Sequence, residues 1–173
     1  TNLLFSQLSD LKNRSIWVVR ESVYTEKMIS DALVYAYNSG YNIVFLQIRG
    51  RGYSFYDSNI VPKHPKIEST FDPLNYAITL GHALGLEIHV WMNSYILWSS
   101  KYLPTDTNHL YHTHKDWTEA DNNLKMDSQI KLDQTHSPQW EGIYLSPIHP
   151  EVNKYLVSIF TEVVENYDID GIH

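Results

Sequence analysis

Four short apolar runs recur along the chain, and three helix-like repeats separate them. Ser15-Ile16-Trp17-Val18-Val19-Arg20 is almost continuously apolar, the pattern of a strand buried on both faces. Thr25 can cap a helix with Glu26 in its first turn, and Met28, Ile29, Ala32, Leu33 and Ala36 then return at helical spacing. Gly40 suits the left-handed position that ends such a helix. Residues 42–49 form a second apolar run, and Gly50-Arg51-Gly52 after it reads as a flexible loop. Asp72-Pro73 marks the next helix start, with Asp as cap and Pro at the first helical position. Leu74, Ala77, Ile78, Gly81 and Leu84 make its apolar stripe, and Gly85 ends it. The stretch 86–93 then alternates, with Ile88, Val90 and Met92 on one face and Glu87, His89, Trp91 and Asn93 on the other. Pro147 and Pro150 punctuate a third helix start, with Val152, Leu156, Ile159, Val163 and Val164 as its buried stripe. Asp170-Gly171-Ile172-His173 opens a fourth strand. Residues 1–13 carry only a weak helical or irregular pattern.

Alternation of strand and helix predicts an α/β fold with a parallel sheet and right-handed crossovers. Three βα units and a fourth strand are half of a (β/α)8 TIM barrel, which takes about 250 residues. The expectation is a partial barrel: residues 1–173 as its N-terminal half, broken off after strand four. A small open α/β sheet is the other fold compatible with the pattern. Between the third strand and the third helix, residues 95–142 show no regular period. A loop of that length inside a compact domain is usually functional or disordered.

Composition narrows the function classes. The 173 residues are 43% hydrophobic and 19% charged, values of a globular chain. A formal charge of -7 argues against nucleic acid or an anionic membrane as principal partner. No apolar run reaches the length of a membrane span. With no Cys, disulfides and thiol chemistry are excluded. Thirteen Tyr and five Trp fit either an aromatic core or a surface that stacks on flat ligands.

Sites in parallel α/β folds lie at the carboxyl ends of the strands. Strand one ends in Arg20-Glu21. Alternation places Gln47 and Arg49 on one face of strand two, and His89, Trp91 and Asn93 on one face of strand three. His173 shares the face of Gly171 on strand four. These groups are costly to bury unpaired, so they form either a polar pocket or a structural polar layer. Glu21 is the candidate catalytic carboxylate, and a helix-leading surface Glu is its bland reading. Asp168, Asp170 and Glu87 stand at the opposite strand ends and read as structural. Arg51 and Arg49 in a Gly-rich loop could grip phosphate or a carboxylate-bearing sugar, though neither the Walker nor the GxGxxG spacing is present. His109, His112 and His114, with Asp106 and Asp116, could ligate zinc. An ordinary His-bearing loop fits them better, so no metal and no cofactor is expected.

These same stretches resemble a known family. The segment 15–22, Phe45-Leu46-Gln47-Ile48-Arg49-Gly50-Arg51-Gly52, Phe71-Asp72-Pro73-Leu74, 85–93, Trp98-Ser99-Ser100, Tyr144-Leu145-Ser146-Pro147, Pro150-Glu151-Val152 and 167–173 fall in the order of the glycosyl-hydrolase-like family ten domain. The resemblance implies a TIM-barrel glycosidase-like fold and a bacterial, exported protein, whether periplasmic, lipoprotein or extracellular. It also implies a carbohydrate substrate and a glycoside hydrolase activity when the chain is full length. The family's last motif runs on through Leu and Asp, which would give a carboxylate beyond His173.

Trp91, Tyr95 and Trp98 are then expected to stack on sugar rings. Arg20, Gln47, Arg49, His89, Asn93 and His173 are expected to bind hydroxyls or orient carboxylates. Hydrolysis needs two carboxylates, and Glu21 alone is visible, so acid and base would be completed by residues outside this stretch. A carbohydrate-binding pseudoenzyme is the alternative, and a phosphate-handling barrel using Arg49 and Arg51 a third. Two sheet edges left open would invite self-association.

Overall fold

Local signals decide most of the secondary structure. The computed structural model describes residues 13–132 and 140–173, so the weak pattern expected over residues 1–12 lies outside them. β1 (Ser15–Val18), β2 (Ile43–Gly50), β4 (Glu87–Met92) and β7 (Gly171–Ile172) lie side by side in that order. All three pairings are parallel. A two-residue strand β3 (Tyr53–Ser54) returns antiparallel on the end of β2. The helices are α1 (Glu26–Asn38), α2 (Pro73–Ala83) and α4 (Pro150–Asn166). This is the expected α/β arc, a partial barrel of four parallel strands with helices between them.

The helix starts follow their capping residues. Thr25 accepts from Met28 N–H at 3.3 Å. Asp72 Oδ1 accepts from the N–H groups of Leu74 and Asn75 at 3.0 and 3.1 Å, with Pro73 in the first turn. His149 Nδ1 accepts from Glu151 N–H at 3.3 Å ahead of α4. Ile29, Leu33 and Ala36 of α1, Leu74, Ala77 and Ile78 of α2, and Val152, Leu156, Ile159 and Val163 of α4 are buried. They pack on the sheet face made by Val44, Leu46, Ile88 and Val90. Met28 and Val164, placed on buried stripes by periodicity, are exposed. Each sits at the margin of an apolar face.

Two expectations change. Strand one is not buried on both faces: Trp17 is 46% exposed, because β1 is the outer strand and its inner face is left open among the described residues. Residues 95–142 are not irregular throughout. β5 (Ile96–Trp98) pairs antiparallel with β6 (Ile143–Tyr144) as a separate ribbon. A short helix α3 (Leu110–Thr113) and 3-10 turns at Lys115–Trp117 and Asp127–Gln129 lie among the described residues of the interval. No helix among the described residues is long and apolar enough to cross a membrane.

Asp72 holds more than its helix, since its second oxygen accepts from the Tyr167 hydroxyl at 2.6 Å at the far end of α4. Asp72→Ala is expected to lower stability by about 1–2 kcal/mol, read as a fall in melting temperature. Asp72→Asn should recover most of the loss by restoring the cap.

Candidate functional site

Side chains on the inner face fall in layers. Trp17, Phe45, His89 and Gly171 are register partners across the four strands. One step toward the carboxyl ends, Gln47 pairs with Trp91. His173 continues that level: its N–H donates to the Val90 carbonyl at 2.8 Å and its carbonyl accepts from Met92 N–H at 2.9 Å. The lower layer is aromatic, with Trp17 stacked on Phe45 at 4.5 Å between ring centroids. Trp17 also meets Trp91 and His173 edge-on at 5.1 and 4.6 Å. A Cβ on Gly171 would collide with the His89 imidazole, so glycine there lets the outer strand close in.

The mouth of the arc collects seven of the expected site residues. Arg20 and Glu21 form a turn directly after β1 and pair with each other at 3.1 Å. Gln47 is buried, and its Oε1 accepts from Arg20 N–H at 3.1 Å, so it clamps strand one to strand two. Trp91 and His173 share its level, and Asn93 follows on the same face of β4. Tyr95 is half-exposed beside them, its hydroxyl donating to Asn153 Oδ1 at 2.8 Å. His89 sits lower, where it bonds Glu87 at 3.0 Å and packs on Phe45. Trp98 is buried away from the mouth, its indole N–H donating to the Tyr102 carbonyl at 2.8 Å.

Arg49 is displaced from the inner face. Strict alternation puts it beside Gln47, but the register shifts between those two residues and sets Arg49 opposite Met92. Ile48 is the additional residue of this bulge, and a bulge re-aims the side chain that follows it. The guanidinium ends on the helix-covered side, fully buried. Its Nη1 donates to the Asn93 carbonyl and, at 3.0 Å, to that of Ser94. Burial pulls its pKa down, and the nearby Tyr155 and Tyr56 hydroxyls oppose that shift. Tyr56 in turn donates to Glu162 at 3.3 Å, and Glu162 also accepts from Ser58 Oγ and Asn59 N–H at 2.5 and 2.7 Å. Buried Glu162 on α4 therefore belongs to a polar network that reaches Arg49 on β2.

The three clustered histidines go separate ways. His109 Nε2 donates to the Arg51 carbonyl at 2.7 Å, while its Nδ1 accepts from Tyr111 N–H at 3.1 Å. His112 bonds the Pro104 carbonyl and His114 the Thr113 hydroxyl, each at 2.8 Å. Among the described residues no three acidic or histidine side chains converge as a metal site. Asp170 anchors its strand as read from the sequence, accepting from Ile88 N–H at 2.7 Å and pairing with His82 at 2.9 Å.

A second group stands at the mouth, of which the sequence singled out Arg51 but gave no sign of Tyr24 or His64. Tyr24, Arg51 and His64 lie within electrostatic reach of Arg20 and Glu21. His64 stacks on Phe55 at 5.0 Å and tilts on Tyr24 at 5.1 Å. Burial, with Lys66 and Arg20 adding repulsion, holds its pKa down at about 4. Nothing in the local pattern around His64 signals this, because it lies in the Pro-punctuated loop 55–70.

Residues 12–173 match the family described as glycosyl hydrolase-like 10. Among curated relatives, the chain is 25% identical over 169 residues to the glycosyl hydrolase DigH of Escherichia coli, covering 88% of this chain and 34% of that protein. It is 29% identical over 145 residues to the glycosyl hydrolase YngK of Bacillus subtilis, covering 78% of this chain and 24% of that protein. The chain thus spans about a third of the first relative and a quarter of the second. A hypothetical protein from Ruminiclostridium thermocellum shares the fold with a TM-score of 0.64 at 15% identity, covering 91% of this chain and 73% of that one. The GH36 α-galactosidase AgaA of Geobacillus stearothermophilus, solved with stachyose, superposes with a TM-score of 0.55 at 20% identity, over 93% of this chain and 21% of its own.

Two outcomes are expected. Glu162→Ala strips three donors of their acceptor and should cost about 3 kcal/mol of stability, measured by urea denaturation. The pKa values of His64 and His109 are both lowered from the ordinary 6.5 to about 4, chiefly by burial. Between those values the unfolded chain binds protons that the folded chain does not, so stability should fall as pH drops from 6.5 to 4. Melting temperature against pH should show that slope, and His109→Gln should flatten it.

Proposed function

Because this chain belongs to the glycosyl hydrolase-like 10 family, we propose that it is the N-terminal arc of a glycosidase-type barrel and carries part of a carbohydrate site. The whole protein then hydrolyses O-glycosyl bonds of a poly- or oligosaccharide. The observation that carries this reading is the placement of Trp91, Asn93 and the Arg20–Glu21 pair at the carboxyl ends of parallel strands. Sugar rings present apolar C–H faces that aromatic rings cover well, and Trp91 and Tyr95 supply such rings. Arg20, Asn93 and His173 hydrogen-bond hydroxyls or orient a carboxylate.

Hydrolysis by acid–base chemistry uses two carboxylates roughly 5–9.5 Å apart across the scissile bond. Among the described residues Glu21 alone directly follows a parallel strand as a carboxylate. It is assigned one of the two roles, and the second falls to strands of a longer chain. The solvated position of Glu21, whose side chain is 54% exposed, leaves it accessible to a ligand. A second reading, binding without turnover, draws on this same single carboxylate.

The test is a panel of bacterial and plant polysaccharides offered to the full-length protein, with reducing ends counted. Product should form from at least one glycan. Trp91→Ala and Asn93→Ala should each lower kcat/KM by about tenfold or more, equal to about 1.4 kcal/mol. Oligosaccharide binding with no product would select the non-hydrolytic reading, and neither binding nor product would overturn both.

A further inference from the structure

The hairpin from β2 to β3 turns on two residues, Arg51 and Gly52, with φ of 52° and 70°. A two-residue turn with both central residues left-handed is met at no strain by Asn, Asp or Gly at its first position. Arg meets it under strain. Strained non-glycine residues persist where their surroundings hold them, and they cluster at ligand sites.

The surroundings here are specific. His109 is fully buried, donates to the Arg51 carbonyl at 2.7 Å and fills the space a Cβ on Gly52 would need. Tyr53 and Trp98 pack on its ring at 4.6 and 5.3 Å. The Arg51 side chain is aimed as well, its Nε donating to Ser99 Oγ at 2.8 Å. Among the described residues its two Nη groups have no hydrogen-bond acceptor. Arg20 lies across the neighbouring residue: a Cβ on Gly50 would come within 2.9 Å of Arg20 Cδ and Nη1. Two guanidiniums thus flank one turn at the strand-end mouth. The carboxylate beside them, Glu21, is already engaged by Arg20. In a chain with formal charge -7, this is a local surplus of positive charge.

We propose that Arg51, with Arg20 beside it, selects an anionic substituent on the sugar that occupies the mouth. The substituent is a carboxylate or a sulfate or phosphate ester, whose oxygens match the forked donors of a guanidinium. The proposal rests on the carbohydrate reading above and narrows it to an acidic glycan. A turn needed only for folding would be better served by Asn or Gly at residue 51.

The experiment is isothermal titration of the full-length protein with three ligands: a uronic-acid oligosaccharide, its carboxyl-reduced neutral counterpart and a sulfated oligosaccharide. At least one anionic ligand should bind tenfold or more tighter than the neutral one, and the gap should narrow as salt is raised. Arg51→Gly and Arg51→Asn should abolish the gap, leave neutral-ligand affinity unchanged, and keep or raise the melting temperature because the turn is relieved. Arg51→Lys should retain part of the gap. Equal affinity for neutral and anionic ligands, an undiminished gap in Arg51→Gly, or a marked fall in its melting temperature would overturn the proposal while leaving carbohydrate binding intact. Binding of none of the three would overturn the carbohydrate reading with it.

Discussion

A guanidinium taken wholly out of water needs acceptors, and Arg49 finds them for Nη1, while its Nε and Nη2 are buried with no hydrogen-bond partner among the described residues. Its charge cannot be neutralised by losing a proton, and an uncompensated buried charge costs several kcal/mol. The carbonyls of Asn93 and Ser94 meet it from the end of β4. The hydroxyls of Tyr56 and Tyr155 lie close, and Glu162 on α4 joins through Tyr56. One buried side chain therefore ties β2, the chain leaving β4 and the last helix into a single unit. The backbone at Asn93 is fixed by the same contact, so the strand-end site is positioned by a residue that never faces it.

The inner face divides by height. Its lower layer is a set of rings, Trp17, Phe45 and His89, closed by a glycine at residue 171 where no side chain fits. Its upper level is polar and reachable, with Trp91, Asn93, His173 and the Arg20–Glu21 turn. Packing a barrel-type interior and lining an open upper level are thus assigned to successive residues of the same strands. The ribbon of β5 and β6 runs on past its strands, where Leu145 N–H donates to the Tyr95 carbonyl at 2.8 Å.

Histidines show how position sets chemistry. His109 is buried with both ring nitrogens committed, one as donor and one as acceptor, which requires the neutral form. Its work is to hold the Arg51 carbonyl and the left-handed turn beneath it. His173, on the upper level, has a ring that packs on Trp17 and Phe45. The first is a structural lock, and the second stands among the strand-end rings of the inner face.

Helix starts at Thr25 and Asp72, stops at Gly40 and Gly85, and the alternating faces of β4 were legible in the sequence, because caps and periods depend on residues within one turn of each other. The same locality exposed Trp91, Asn93 and Arg20–Glu21 as strand-end groups. What the tertiary structure alone decided depends on register between distant segments. The bulge at Ile48 turned Arg49 from the mouth to the core, which a strict period of two cannot express. His109 reaches Arg51 across 58 positions, and only that contact converts a glycine-rich stretch that reads as flexible into a fixed, strained turn. Sequence determined which side chains stand at the strand ends; packing decided which of them face the open mouth.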